Sequence, residues 1–282
     1  MIELRRGGEG YPARLERLSH PPDPLWLEGT MPDPGVPTVG IVGTRRVTPQ
    51  GTWAAREVTT ALAAAGAVVV SGLAQGIDSA AHEAALRSGG PTVAVIGEGL
   101  RAFEQFIPLR RRGLADRIRQ EGAIVSEFAL DRVALDWMYP RRNATIAALS
   151  DVLVVVEAPV GSGALITAEH AAKIGCPVYA VPGPFGAPTW AGSNQLIKSG
   201  AARMLVDASE VAHALGLRAP SAALTPAGDA ARLLEILATG AADADAIAAA
   251  LGIDPGAVPT VIAEQLLLGT IVPTGDGRFA RR

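Results

Sequence analysis

The sequence predicts an α/β protein: a doubly wound, mostly parallel sheet followed by a small C-terminal winged helix. Three observations predict it. From Thr38 onward, short apolar runs rich in valine alternate with amphipathic stretches, and runs apolar on both faces suit strands covered by helices on each side. Glycine-bearing or charged turns follow the ends of those runs, where an open parallel sheet presents its ligand edge. Beyond a stretch of prolines and small residues, three short helical patterns precede two β-runs joined by Gly275-Asp276-Gly277, the element order of a winged helix.

Residues 1–37 read as a lead-in. Residues 11–18 suit one helix, and Pro21, Pro22, Pro24, Pro32, Pro34 and Pro37 rule out regular structure and keep the chain extended. Trp26 and Leu27 pin this segment to the main domain. The sheet domain covers 38–216, with strands at 39–42, 67–70, 92–96, 123–125, 152–156, 178–181 and 202–206. Helices fall at 50–65, 77–88, 103–121, 142–149, 164–174 and 192–199. A linker at 217–228 leads to the winged helix at 229–282, with helices at 229–238, 243–251 and 255–268. Asp254 and Pro255 form an N-cap and first-position pair for the third.

Composition narrows the function classes. Cys176 is the one cysteine, so an internal disulfide and a cysteine zinc site are excluded. His20, His82, His170 and His213 show no metal-ligand spacing; no metal and no cofactor are expected. The start lacks a signal-peptide core and no apolar run reaches the ~20 residues of a membrane span, so a cytoplasmic protein without membrane contact is expected. Net charge is −3, which counts mildly against a nucleic-acid binder. The distribution matters more. Residues 222–282 alone carry −3, and within the formally neutral remainder arginines cluster at Arg45-Arg46, Arg110-Arg111-Arg112 and Arg141-Arg142.

Several turns carry candidate chemistry. Gly43-Thr44-Arg45-Arg46 places guanidinium groups at a strand end, where they grip phosphate by charge-assisted forks; solvent-facing arginines are the plainer alternative. In SGLAQGIDSAAH, Ser71, Gly72 and Gly76 allow close backbone approach to a ligand, and Asp78 and His82, one turn apart, form either a clamp at a helix start or an acid/base dyad. Arg110 to Arg112 are a solvated face or reach the same edge. Tyr139-Pro140-Arg141-Arg142-Asn143 opens a helix with two arginines against its dipole, which a bound anion would explain. Asn143 would orient a neighbour or a base edge. Ser162 and Gly163 of the Gly161-Ser162-Gly163 loop can offer a hydroxyl and N–H groups to phosphate. Leu196, Ile197, Met204 and Leu205 are core or, at an outermost helix and strand, a dimer face.

In this order the motifs resemble the bacterial DNA-processing protein A family, DprA or Smf. The resemblance runs through GIVGTRR, SGLAQGIDSAAHEAAL, AVIGEGL, IVSEF, YPRRNATIAALS, VLVVVEAPVGSGALITAEHA, VYAVPGP and GSNQLIKSGA, across residues 38–206. It implies an extended Rossmann-like domain that binds single-stranded DNA, forms a homodimer and hands incoming strands to the RecA recombinase in natural transformation, with no catalytic residues. It puts Arg45 at the family's DNA-binding arginine and aligns Arg141, Arg142 and Asn143 with its phenylalanine-proline-x-arginine-asparagine run, Tyr139 replacing phenylalanine. Ala144 replaces the arginine usual after that asparagine. The tyrosine-proline-lysine turn appears as Ile107-Pro108-Leu109, so its DNA-contacting lysine is missing and Arg110 is the candidate substitute. A sterile-alpha-motif-like domain, seen ahead of this region in many members, is either absent or lies outside this sequence. Residues 43–46, Ser71, Gly72, Gly76, Arg110, Tyr139, 141–143, Ser162 and Gly163 are therefore the expected DNA-contacting set, with Tyr139 or Phe106 to stack bases.

The rival class is a nucleotide-binding hydrolase of the nucleoside monophosphate phosphoribohydrolase group. Its proline-glycine-glycine-x-glycine-threonine motif is replaced here by APVGSGALIT, although Glu157 keeps a carboxylate nearby. A third reading is a pure interaction scaffold. In each case the third helix of the winged helix, without Lys or Arg, is expected to be a poor reader of DNA.

Overall fold

The computed structural model describes residues 1–217, 229–253, 255–267 and 270–281. Apolar runs build the sheet where they are predicted. After β1 (Ile2–Leu4) and β2 (Leu25–Gly29) come β3 (Thr38–Val42), β4 (Val68–Ser71), β5 (Thr92–Val95), β6 (Ala123–Ser126), β7 (Val152–Val155), β8 (Val178–Ala180) and β9 (Arg203–Met204). The nine strands lie in the order β1-β2-β6-β5-β4-β3-β7-β8-β9. The strands from β3 to β9 pair in parallel; β2 runs antiparallel to β6, and β1 to β2.

Side chains alternate across the sheet. Val68, Val70, Val93 and Val95 pack on one face with Ile146, Ala147 and Ala164. Val39, Ile41, Val69 and Val154 pack on the other with Ala55, Leu62, Ile77 and Ala81. The helices supplying these faces are α1 (Pro49–Ala64), α2 (Ile77–Arg87), α3 (Leu100–Phe106), α4 (Leu109–Glu121), α5 (Met138–Leu149), α6 (Gly163–Lys173), α7 (Ala191–Lys198) and α8 (Ala208–Ala214).

Four expectations are corrected. The lead-in is not irregular throughout, because its prolines flank β2 instead of interrupting it. Leu25 and Leu27 are buried while β2 pairs with β6 from Trp26↔Ser126 to Gly29↔Ala123. The helix expected at 11–18 is a short 3-10 turn, Ala13–Arg17, tied down by Arg14, which forks onto Asp151 at 2.9 and 2.8 Å. The single helix at 103–121 is split into α3 and α4 at Pro108, which has no N–H to continue the ladder. Leu205 is 2% exposed within the cluster of Tyr179, Trp190 and Val211, so it is core and not dimer surface. Leu196 and Ile197 lie half-buried against the opposite face's cluster, and of the four expected contact residues only Met204, at 50%, is exposed.

α8 was not expected. Asp207 and Glu210 close a capping box at its start.

The chain divides into two compact units, Met1–Ser221 and Ala222–Arg282. The second holds α9 (Asp229–Ala238), α10 (Ala244–Leu251), α11 (Val258–Leu267) and an antiparallel ribbon of β10 (Ile271–Pro273) with β11 (Phe279–Arg281). Leu233, Leu237, Ile247, Leu251, Val258 and Ile271 form its core. The expected N-cap Asp254, and the expected linker beyond Leu217, lie outside the described residues. Among the described residues no helix is long and apolar enough to cross a membrane.

Candidate functional site

The chain leaves β3 toward β4 on one side and returns to β7 on the other. The turns after β3 and β7 therefore flank the point where the strand order reverses, the crevice of an open α/β sheet. Thr44 N–H donates to the Glu157 carbonyl at 2.7 Å, locking the two turns together, and the Thr44 carbonyl accepts from Ile77 N–H at 3.2 Å at the start of α2. This close approach is what the glycines are for. A Cβ on Gly43 would stand 2.5 Å from Ile77 Cγ1, and one on Gly76, whose φ is 90°, would stand 2.3 Å from the Thr44 carbonyl oxygen. They admit protein neighbours where ligand backbone was expected.

Two clefts open on this edge. One, of about 350 Å³, is lined by Gly43, Thr44, Arg45, Arg46, Asn143, Ser162 and Gly163 among others. The second, of about 190 Å³, is lined by Gly72, Glu98, Phe103, Arg110 and Arg111 among others. Arg45, Tyr139 and Arg142 line both. Arg45 is exposed, forms no ion pair among the described residues, and rests its guanidinium carbon 5.2 Å from the centroid of the Tyr139 ring. Arg46 beside it is also exposed and forms no ion pair among the described residues.

Other expected contacts have structural work instead. Ser71 is buried and donates its hydroxyl to the Ile41 carbonyl at 2.6 Å, fastening β4 to β3. Gly72 is buried; a Cβ there would stand 2.6 Å from Arg142 Nη1 and 2.7 Å from Asp78 Oδ2. Arg142 is buried and donates Nη1 to the Gly72 and Val95 carbonyls, each at 2.6 Å, and Nε to Asn143 Oδ1 at 3.2 Å. These acceptors give an arginine at the start of α5 a structural role. Burial lowers its pKa and raises that of Asp78; each charge partly offsets the other's shift.

Arg141 leaves the clefts altogether. It pairs with the buried carboxylate of Glu127 and lies 5.9 Å from the Phe128 ring. Asn143 Nδ2 donates to the Gly163 carbonyl at 3.1 Å, so it holds the loop after β7. The Ser162 hydroxyl accepts from Ala164 N–H at 3.3 Å as the N-cap of α6. Arg110 is exposed and donates to Gln75.

Arg111 was missing from the expected set. It is half-buried, donates Nη1 to the Leu73 carbonyl at 2.7 Å, and keeps a buried Nε that has no hydrogen-bond partner among the described residues. Its membership of the 110–112 block was the available signal, but a block does not say which side chain faces the sheet.

The acid/base dyad does not form. His82 is fully buried and its Nδ1 meets Thr92 Oγ1 at 2.7 Å. The Thr92 hydroxyl already donates to the Val69 carbonyl at 2.8 Å, so Nδ1 must carry the proton and donate. Burial holds the imidazole pKa down to about 3. A depressed pKa contributes stability that is present above the unfolded value of ~6.5 and lost as pH falls toward the folded one. Thermal melts should therefore weaken between about pH 6.5 and 3, and His82→Gln, which cannot charge, should flatten that acid limb. An unchanged limb would remove His82 as its source. The Glu157 carboxylate accepts from Thr48 N–H at 2.9 Å and from its hydroxyl at 3.0 Å, holding the start of α1.

The profile of DNA recombination-mediator protein A matches residues 4–216, a span that contains both clefts. The chain belongs to that family. It is 41% identical to Protein Smf of Escherichia coli over 194 residues, 68% of this chain and 51% of that one. Against DNA processing protein DprA of Streptococcus pneumoniae the identity is 38% over 191 residues, 68% of this chain and 66% of the relative. The chain thus spans about half the length of the Smf relatives of E. coli and Synechocystis, 51% and 48%. Two solved family structures share the fold. The S. pneumoniae protein superposes with a TM-score of 0.69 at 34% identity, covering 75% of this chain and 73% of that one. The Helicobacter pylori protein, described for its single-stranded DNA binding mode, gives 0.66 at 29%, covering 76% and 94%.

Proposed function

We propose that this member of the family is a single-stranded-DNA-binding recombination mediator that works as a homodimer, protects incoming strands and passes them to RecA in natural transformation. One observation carries the DNA part: Arg45, unpaired and seated on Tyr139, stands where two arginine-lined clefts meet. An exposed guanidinium takes a phosphate, while an aromatic face beside it takes an unpaired base, a combination that suits single strands. The single-strand binding mode named for the H. pylori relative supports the same choice. The homodimer is supported by the short edge strand β9 with Met204 and Val206 exposed beside it, and the RecA partner by family membership alone. We read the second unit as a winged helix that contacts protein. Its helix α11 contains no Lys or Arg, and Gln265, its one amide, is buried and accepts from the Thr270 hydroxyl at 2.8 Å. The hydrolase reading gains nothing, since His82 and Glu157 are both engaged away from the clefts.

Arg45→Ala should weaken single-strand affinity by about 1.5–3 kcal/mol, the worth of a charged contact, with Tm nearly unchanged and a smaller loss for Arg46→Ala. Electrophoretic shifts at several salt concentrations check this. With three to five phosphate contacts the log–log salt slope should be about −2 to −3.5. Equal affinity for duplex, or wild-type affinity in the Arg45 variant, would overturn the site.

A further inference from the structure

We propose that Phe185, on the turn after β8, is a stacking platform for a base of the strand after it has left the clefts, an inference that rests on the single-strand reading above. β3, β7 and β8 are parallel neighbours, and their last paired residues, Val42, Val155 and Ala180, stand level. The turns that follow them therefore share one edge. The turn after β3 carries Arg45, and the loop after β7 carries Ser162 and Gly163, which line the larger cleft. The turn after β8 comes next, about 10 Å along the edge from the first at ~4.8 Å per strand, a reach of a few nucleotides. In the loop between them Val160 is 67% exposed, and Phe185 is exposed completely, at 106%.

A single exposed apolar side chain needs no partner of its own. Phe185 differs in being held rigidly. Ala187 N–H donates to the Pro184 carbonyl at 3.2 Å, and Gly186 has a φ of 74°, the marks of a type II turn with Phe185 at its second position. Asn194 grips the turn from both sides: its Oδ1 accepts from Gly183 N–H at 2.9 Å and its Nδ2 donates to the Gly183 carbonyl at 3.3 Å. The buried Trp190 packs so closely on Gly183 that a Cβ there would overlap it. α7, which carries Asn194, is itself tied to the loop after β7, since Gly192 and Ser193 N–H both donate to the Ala158 carbonyl, at 2.8 and 3.1 Å. The two turns thus form one platform that keeps an aromatic ring in water.

The chemistry of the turn selects the occupant. From 181 to 190 the chain carries no ionisable side chain, so nothing there grips a phosphate or a charged peptide. A protein partner needs a contiguous apolar surface on the order of a few hundred Å², and the neighbours of Phe185 in its turn are Pro184 and Gly186. A base needs only one planar face, whatever its identity.

The test is fluorescence anisotropy and tryptophan emission with (dT)20. Phe185→Ala should weaken binding about fivefold or more, the worth of one stacked base, with the salt slope unchanged because no phosphate contact is lost. Phe185→Leu, apolar without a planar face, should lose as much. Phe185→Trp should keep the affinity, and (dT)20 should quench its emission beyond the quenching of the four native tryptophans. Wild-type affinity in Phe185→Ala, rescue by leucine, or no added quenching in Phe185→Trp would each overturn the platform. So would a changed oligomeric state in Phe185→Ala with strand affinity intact, which would assign the ring to a second copy. In all of these Arg45→Ala would still weaken binding; a wild type that binds no strand would instead sink the single-strand reading, and this one with it.

Discussion

Arg142→Ala should cost about 3–5 kcal/mol of stability, the loss expected when one member of a buried charged network is removed. The Gly72 and Val95 carbonyls would lose their donor, and the buried Asp78 carboxylate would lose the positive charge that offsets its desolvation. In a domain of this size the fall in Tm would be on the order of 6–20 °C. The sign of the pH dependence follows. Asp78 has a raised folded pKa, so its protonated form favours folding at low pH and that contribution is lost as pH rises through the folded value. Without Arg142 the folded pKa rises further, and the gap between variant and wild type should be narrower in acid than at neutral pH. Arg142→Ala/Asp78→Ala should lose less than the two single variants together. Calorimetry over this pH range checks both; a variant melting within a degree of wild type would show that the carbonyl clamp is not holding the strand ends together.

Leu205→Arg should unfold the first unit instead of separating two copies. Leu205 is 2% exposed beside Tyr179, Trp190 and Val211, and a charge there has no partner and no water. The cost is on the order of 5 kcal/mol, combining an unpaired buried charge with lost packing. Met204→Arg and Val206→Arg, at positions 50% and 74% exposed, should stay folded, and together they should release a dimer if β9 lies in its interface. Sizing and circular dichroism separate these results. A folded Leu205→Arg monomer would contradict the packing described.

The parallel strands β3 to β8 are legible because each is a short, mostly apolar run bounded by turns, and burial on both faces leaves no polar alternation to confuse the reading. β2 is not, because prolines on both sides of Leu25–Gly29 look like a ban on strand when they only bound one. Where the arginines gather is legible to the strand end; what each one does is not. Arg141 and Arg142 are neighbours in sequence, but about 100° apart around a helix, so one stays exposed and reaches the buried Glu127 carboxylate, and the other is buried among strand-end carbonyls. Ser71 and Gly72 look like ligand contacts for the same reason: a residue that faces a close neighbour and one that faces a ligand are both small. The discriminating fact is the neighbour, and only tertiary packing supplies it. The capping box of α8 was readable from Asp207 and Glu210 alone.

The stacking of Arg45 on Tyr139 sets the terms on which a strand would be met. An arginine free in solvent surrenders up to ~2 kcal/mol of rotamer entropy when a ligand immobilises it. Here the ring has already taken up much of that freedom, and the Tyr139 ring is itself braced against Gly97. If a phosphate is met here, the guanidinium that meets it is partly preorganised, and less of the gain on binding would be spent on ordering. A lysine at this position would bring the same charge on a stem with no planar face to lay on the ring, so the charge-conserving exchange is not conservative here.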